Sequence, residues 1–128
     1  LCHPLLKGGG KIINLASSSA LRADSEGYGA YAAVKEAIRA LSRTAAVEWG
    51  PDSILVNCIM PLAKSTGMEW WMSERPEEAA EFVKTIPLGR VGDCKDDIGE
   101  AVCHLLSEGM SYITGSTIMI DGGQAFLR

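Results

Sequence analysis

Three short, nearly unbroken apolar runs constrain this chain most. They are Lys11 to Ala16 (Lys-Ile-Ile-Asn-Leu-Ala), Ile54 to Met60 (Ile-Leu-Val-Asn-Cys-Ile-Met) and Ser116 to Ile120. Runs of this length, rich in branched side chains and bounded by glycine, serine or proline, predict buried strands. Strands that lack polar alternation are covered on both faces, which is the habit of parallel sheets. Parallel neighbours need long crossovers, and the intervening sequence supplies helical patterns. Gly29 to Trp49 is the clearest, with Tyr31, Val34, Ile38, Leu41, Ala45 and Trp49 at three-to-four spacing and Gly50-Pro51-Asp52 as its stop. Pro76 to Ile86 reads as a short helix with proline in its first turn and acids beside it. Asp96 to Glu108 reads as an amphipathic helix carrying Ile98, Val102, Leu105 and Leu106 on one side. Ser17 to Tyr28 and Leu62 to Arg75 read as irregular, and Pro87 to Gly92 as a turn. The fold class is therefore α/β, a partial doubly wound parallel sheet with flanking helices, in a single domain over residues 1–128.

The opening, Leu1-Cys-His-Pro-Leu-Leu-Lys7, reads as the last turns of a helix stopped by Gly8-Gly-Gly10. A chain that starts inside a helix is expected to be cut from something longer.

Composition narrows the function classes. A net charge of −4 with no basic stripe argues against nucleic acid as a partner. The apolar runs fall well short of the roughly 20 residues that cross a bilayer, so no membrane span is expected. Cys2, Cys58, Cys94 and Cys103 make no CxxC pair, which argues against a zinc site, and no metal site is expected. Scattered thiols fit a reducing, cytoplasmic setting. His3 and His104 read as structural or exposed.

The chemistry concentrates at Tyr31 and Lys35. Four residues apart on a helix, they share a face. An ammonium beside a phenol favours the phenolate, which suits proton exchange with a carbonyl or alcohol oxygen. The serine cluster Ser17, Ser18 and Ser19 follows the first strand and offers hydroxyl donors to the same oxygen. Sites of open α/β sheets lie beyond the carboxyl ends of their strands, where both this cluster and Pro61 to Thr66 fall.

Taken together, these segments resemble the short-chain dehydrogenases/reductases, and the likeness covers nearly the whole chain. Gly10-Lys-Ile-Ile-Asn-Leu-Ala-Ser-Ser18 is similar to that family's strand leading to its active serine. Tyr31-Ala-Ala-Val-Lys35 is similar to its YxxxK motif. Val56-Asn-Cys-Ile-Met-Pro61 with Thr66 resembles its strand-to-loop segment near the nicotinamide. Ile86-Pro-Leu-Gly-Arg90 and Tyr112-Ile-Thr-Gly115 through Asp121-Gly-Gly123 resemble its C-terminal signatures.

The resemblance implies NAD or NADP as cofactor, and hydride transfer to or from a carbonyl or alcohol substrate. It implies Tyr31 as general acid or base, Lys35 as its modulator and ribose ligand, and Ser17 as holder of the substrate oxygen. Counting from Asn14 places that serine at Ser17, while the commonest distance back from the tyrosine points to Ser18. Ser17 is preferred because loop length varies more readily than strand register. Thr66 is implied for the nicotinamide carboxamide, with backbone at Pro61 and Lys64 lining the cofactor. Ser18, Leu62, Trp70 and Trp71 are candidate substrate contacts, the two tryptophans as part of a lid. A homodimer or homotetramer through helix 29–49 is implied as well.

The chain also departs from the family pattern. Leu62 stands where glycine is usual, and Lys64 where an apolar residue is usual. The family's N-terminal dinucleotide-binding half has no counterpart here. The three strands resemble numbers 5, 6 and 7 of a sheet ordered 3-2-1-4-5-6-7, which leaves the edge of the first strand bare. A truncated binding or dimerisation module is therefore a second expectation. A serine hydrolase is a remote third, because Leu15-Ala-Ser-Ser-Ser-Ala20 lacks the glycines of a nucleophile elbow.

Overall fold

A computed structural model describes residues 2–23 and 27–125. Leu1, at the start of the expected helix end, and residues 24–26 of the expected loop lie outside the described residues. The described strands are β1 (Lys11–Leu15), β2 (Leu55–Pro61) and β3 (Thr117–Ile120), and the α-helices are α1 (His3–Leu6), α2 (Gly29–Trp49), α3 (Thr66–Glu74), α4 (Pro76–Lys84) and α5 (Glu100–Leu105).

The three strands form one parallel sheet in the order β1-β2-β3. Lys11 pairs with Leu55 and Leu15 with Ile59; Cys58 pairs with Thr117 and Pro61 with Ile120. The central strand β2 is the most buried, with Val56, Asn57, Cys58, Ile59 and Met60 all inaccessible. Alternation along β2 turns Val56, Cys58 and Met60 to one face. There they meet α2 in two clusters. Ala45, Ala46, Ile54 and Val56 pack with Leu6, Ile12 and Trp49. Ala16, Cys58 and Met60 pack with Ala20, Leu21, Ile38 and Met119.

The span of α2 follows its periodicity from glycine to tryptophan, but the periodic stripe does not all face inward. Val34 is 59% exposed and Leu41 66%. The buried positions are Ser42, Ala45 and Ala46. Small residues let the helix sit close on the sheet, and Ser42 is accommodated because its hydroxyl is fully used. It donates to the Ile38 carbonyl at 2.7 Å and accepts from Asn14 Nδ2 at 2.9 Å. A buried hydroxyl bonded on both sides costs little.

Two segments differ from expectation. The stretch read as irregular, Leu62 to Arg75, contains α3, started by Ser65, whose hydroxyl accepts from the Met68 amide at 3.3 Å. The helix read over Asp96 to Glu108 begins instead with a π-helical turn, Cys94–Gly99, and only then becomes α5. Asp93 caps that turn by accepting from the Lys95 and Asp96 amides at 2.7 and 2.8 Å, while its carbonyl accepts from both Asp97 and Ile98. Among the described residues, no helix is long and apolar enough to cross a membrane.

Candidate functional site

The carboxyl ends of the strands gather most of the residues singled out from the sequence. Ser17 and Pro61 each follow the last register pair, Leu15 with Ile59, by two residues, so they leave the sheet side by side. Ser17 opens a single 3-10 turn over Ser18–Ala20, and its hydroxyl accepts from the Ser19 amide at 3.2 Å. That bond occupies a lone pair and leaves the hydroxyl proton available to donate.

The first turns of α2 bring Tyr31 and Lys35 to this same edge. Lys35 is half-buried, and its Nζ donates to the Leu15 carbonyl at 3.0 Å. This contact ties the ammonium to the strand end two residues before Ser17. Leu15 O is open to such a donor because of strand alternation. Gly10 O and Ala16 N bond to β2, so Lys11, Ile13 and Leu15 turn their backbone groups to the outer edge of β1. Lys35 Nζ also lies 5.5 Å from the centroid of the Tyr31 ring, and that ring makes an edge contact with Tyr28 at 5.9 Å. Tyr31 remains 45% exposed. An ammonium has three N–H donors, of which Leu15 takes one. The remainder, with the hydroxyls of Ser17 and Tyr31, are further hydrogen-bond donors near the end of β1.

The strand-to-loop segment beyond β2 is held by hydrogen bonds to Ile120 and to Gly92. The Leu62 amide donates to Ile120 O at 2.9 Å, and the Lys64 amide to Gly92 O at 2.8 Å, with Ala63 bridging Gly92 in parallel. Pro61 is half-buried; Lys64 and Thr66 are exposed, Thr66 as the first residue of α3. The two tryptophans separate. Trp71 packs edge-on against Phe82 at 5.7 Å, stapling α3 to α4, whereas Trp70 is 66% exposed.

A cavity of about 480 Å³ opens beyond β2 and β3, lined by Leu62, Leu88, Arg90, Asp97, Met119 and the Asp121-Gly-Gly turn among others. Of the residues expected at the site, only Leu62 lines it. Ser17, Tyr31 and Lys35 do not line it. Sequence reasoning passed over two charged groups on this cavity. Arg90 and Asp97 form a bidentate pair, Nη1 to Oδ2 at 2.5 Å and Nη2 to Oδ1 at 2.7 Å. Hydrogen bonds from Arg90, then from the Asp93 amide, hold the Asp97 carboxyl well below the usual carboxylate range. The same pairing raises the Arg90 guanidinium further. The signal available in the sequence was an arginine seven residues before an acid, across a turn that ends at Gly92.

Comparison with known proteins shows what the whole chain resembles. A family model described as enoyl-(acyl carrier protein) reductase matches residues 1–125. A 12alpha-hydroxysteroid dehydrogenase from Clostridium is 42% identical over 123 residues, covering 95% of this chain and 47% of that protein. A short-chain type dehydrogenase/reductase from Mycobacterium ulcerans superposes with a TM-score of 0.81 at 30% identity, over 91% of this chain and 42% of the other. A Pseudomonas aeruginosa RhlG/NADP active-site complex gives a TM-score of 0.80 at 28% identity, over 97% and 50%. The chain spans about half the length of the curated relatives it matches.

Proposed function

The chain belongs to the short-chain dehydrogenase/reductase family, and on that premise we propose that it is the C-terminal, proton-transferring part of an NAD(P)-dependent oxidoreductase acting on a carbonyl or alcohol. The observation that carries this reading is Lys35. Its ammonium is fixed to the end of β1 and set against the Tyr31 ring, on the edge where Ser17 leaves the sheet.

In reduction, Tyr31 delivers its phenolic proton to the oxygen that becomes the alcohol; in oxidation it takes that proton back. Ser17 donates a hydrogen bond to the same oxygen and orients it, with Ser18 as the neighbouring hydroxyl. Lys35 lies against the Tyr31 ring and has donors left for the ribose hydroxyls. Thr66 meets the carboxamide, and backbone at Pro61 and Lys64 borders the ring. When bound, the nicotinamide supplies or accepts the hydride. Leu62 and Trp70 border the substrate side, where Trp70 is open to contact; Trp71 shapes the segment through Phe82.

The experiment compares Tyr31→Phe with the parent in the complete oxidoreductase. Turnover should fall by roughly 10²-fold or more, the usual scale for a lost acid–base group, with dinucleotide affinity nearly unchanged by fluorescence titration. Retained turnover ends the assignment.

A second reading, a binding or dimerisation module, draws on a different observation. One flank of α2 exposes Val34 and Leu41. Such a stripe suits a homodimer or homotetramer contact. A stable dimer with no dinucleotide affinity in any longer form would favour the module over the enzyme.

A further inference from the structure

We infer that Arg90, Gly92 and Asp97 form a clamp that positions the Pro61–Thr66 segment for the nicotinamide, an inference that rests on the oxidoreductase reading above. None of the three touches the tyrosine or the serine. They are positioning residues, acting through backbone.

The clamp has two stages. In the first, one carboxylate grips both flanks of Val91-Gly92. Asp97 Oδ1 and Oδ2 accept from the Arg90 fork on one side, and Oδ2 also accepts from the Asp93 amide at 2.6 Å on the other. Val91, between them, is 3% exposed. The π-helical turn is what aims this carboxylate, because the Asp97 and Ile98 amides share the Asp93 carbonyl at 3.2 Å each. π turns inside helices are often found where a functional side chain is re-aimed.

In the second stage, Gly92 hands that position to the loop after β2. Its amide donates to Leu62 O at 3.2 Å, and its carbonyl accepts from the Lys64 amide at 2.8 Å. These two bonds act as an added strand rung beyond the end of β2. The approach is close. A Cβ built on Gly92 would lie 2.9 Å from Leu62 O and 3.5 Å from Asp97 Oδ2. The Leu62 amide is held as well, by Ile120 O. The segment from Pro61 to Thr66 is therefore tied to the end of β3 and to Gly92. An exposed ion pair contributes little to stability by itself. Here its role is geometric: it sets where Gly92 stands, and Gly92 sets the loop.

Amide hydrogen exchange in the full chain reads the clamp without any reaction. In Asp97→Asn the Lys64 and Gly92 amides should exchange about five- to tenfold faster, with amides of central β2 unchanged. Arg90→Lys keeps the charge but loses the fork, so its rates should fall between those of Asp97→Asn and the parent. Equal rates across the series would overturn the clamp. In the complete oxidoreductase, Asp97→Asn should raise the KM for dinucleotide about tenfold and leave kcat within about twofold. Faster exchange with an unchanged KM would overturn its positioning role. If Tyr31→Phe keeps its turnover, the proton-transfer reading fails, and the exchange series still decides the clamp.

Discussion

Adding one methyl group at Gly92 should destabilise this protein, while the same change at Gly67 should not. Gly92 has no left-handed backbone to protect, so the argument is purely one of space. Its new Cβ would sit 2.9 Å from Leu62 O, a backbone atom that cannot rotate away. Relief requires the two chains to part, and the 3.2 Å bond from the Gly92 amide to Leu62 O is the first to go. Overpacking of this kind costs about 1–3 kcal/mol, and a lost backbone hydrogen bond about 1 kcal/mol. We expect a total of about 2–4 kcal/mol, and a fall in Tm of roughly 10 °C for a chain of this size. Gly67, in the first turn of α3, meets nothing within 4 Å. There alanine should gain about 0.5–1 kcal/mol from helix propensity. Urea unfolding followed by tryptophan fluorescence gives both values in one series. If Gly92→Ala stays within about 0.5 kcal/mol of the parent, the close approach has been misjudged and the second stage of the clamp goes with it.

Three further outcomes follow from other sites. Asn57, 4% exposed, donates to Ile113 O at 2.7 Å and accepts from the Ser116 amide at 3.1 Å, holding the turn before β3. Asn57→Ala should cost about 1–3 kcal/mol in urea unfolding, because two part-buried backbone groups lose partners. The Asp97, Asp93 and Asp52 carboxyls are all held below their ordinary range, chiefly by Arg90, by the Asp96 and Lys95 amides, and by Lys7 respectively. A lowered folded value stabilises above the unfolded one, about 4, and is lost as pH falls through the folded one. The urea midpoint should therefore change little between about pH 7 and 5 through these groups and drop below about pH 4, less steeply in Asp97→Asn. Burial pushes the Cys58 thiol up, whereas Cys2, Cys94 and Cys103 are exposed. Iodoacetamide should modify those three under native conditions and reach Cys58 only on unfolding, which mass spectrometry would resolve.

Runs of apolar residues carry their meaning locally, and so the strands and the span of α2 were legible from one end of the chain to the other. The i, i+4 pair of Tyr31 and Lys35 was legible for the same reason, since helix geometry alone puts them on one side. Even α3 left a trace in its capping residue Ser65, though the whole stretch Leu62 to Arg75 reads as irregular. Other features depend on what lies across a gap in sequence. Whether Val34 or Ser42 turns to the sheet is decided by how closely α2 can approach β1 and β2, and the small residues win over the larger ones. Lys35 reaches Leu15 O because strand alternation turns that carbonyl away from β2. The π turn and the Arg90–Asp97 fork hold Gly92 against Leu62, a contact between distant segments that no local pattern encodes. Periodicity reports which side of an element is apolar; only packing reports which side is covered, and which backbone groups are left for a neighbour to use.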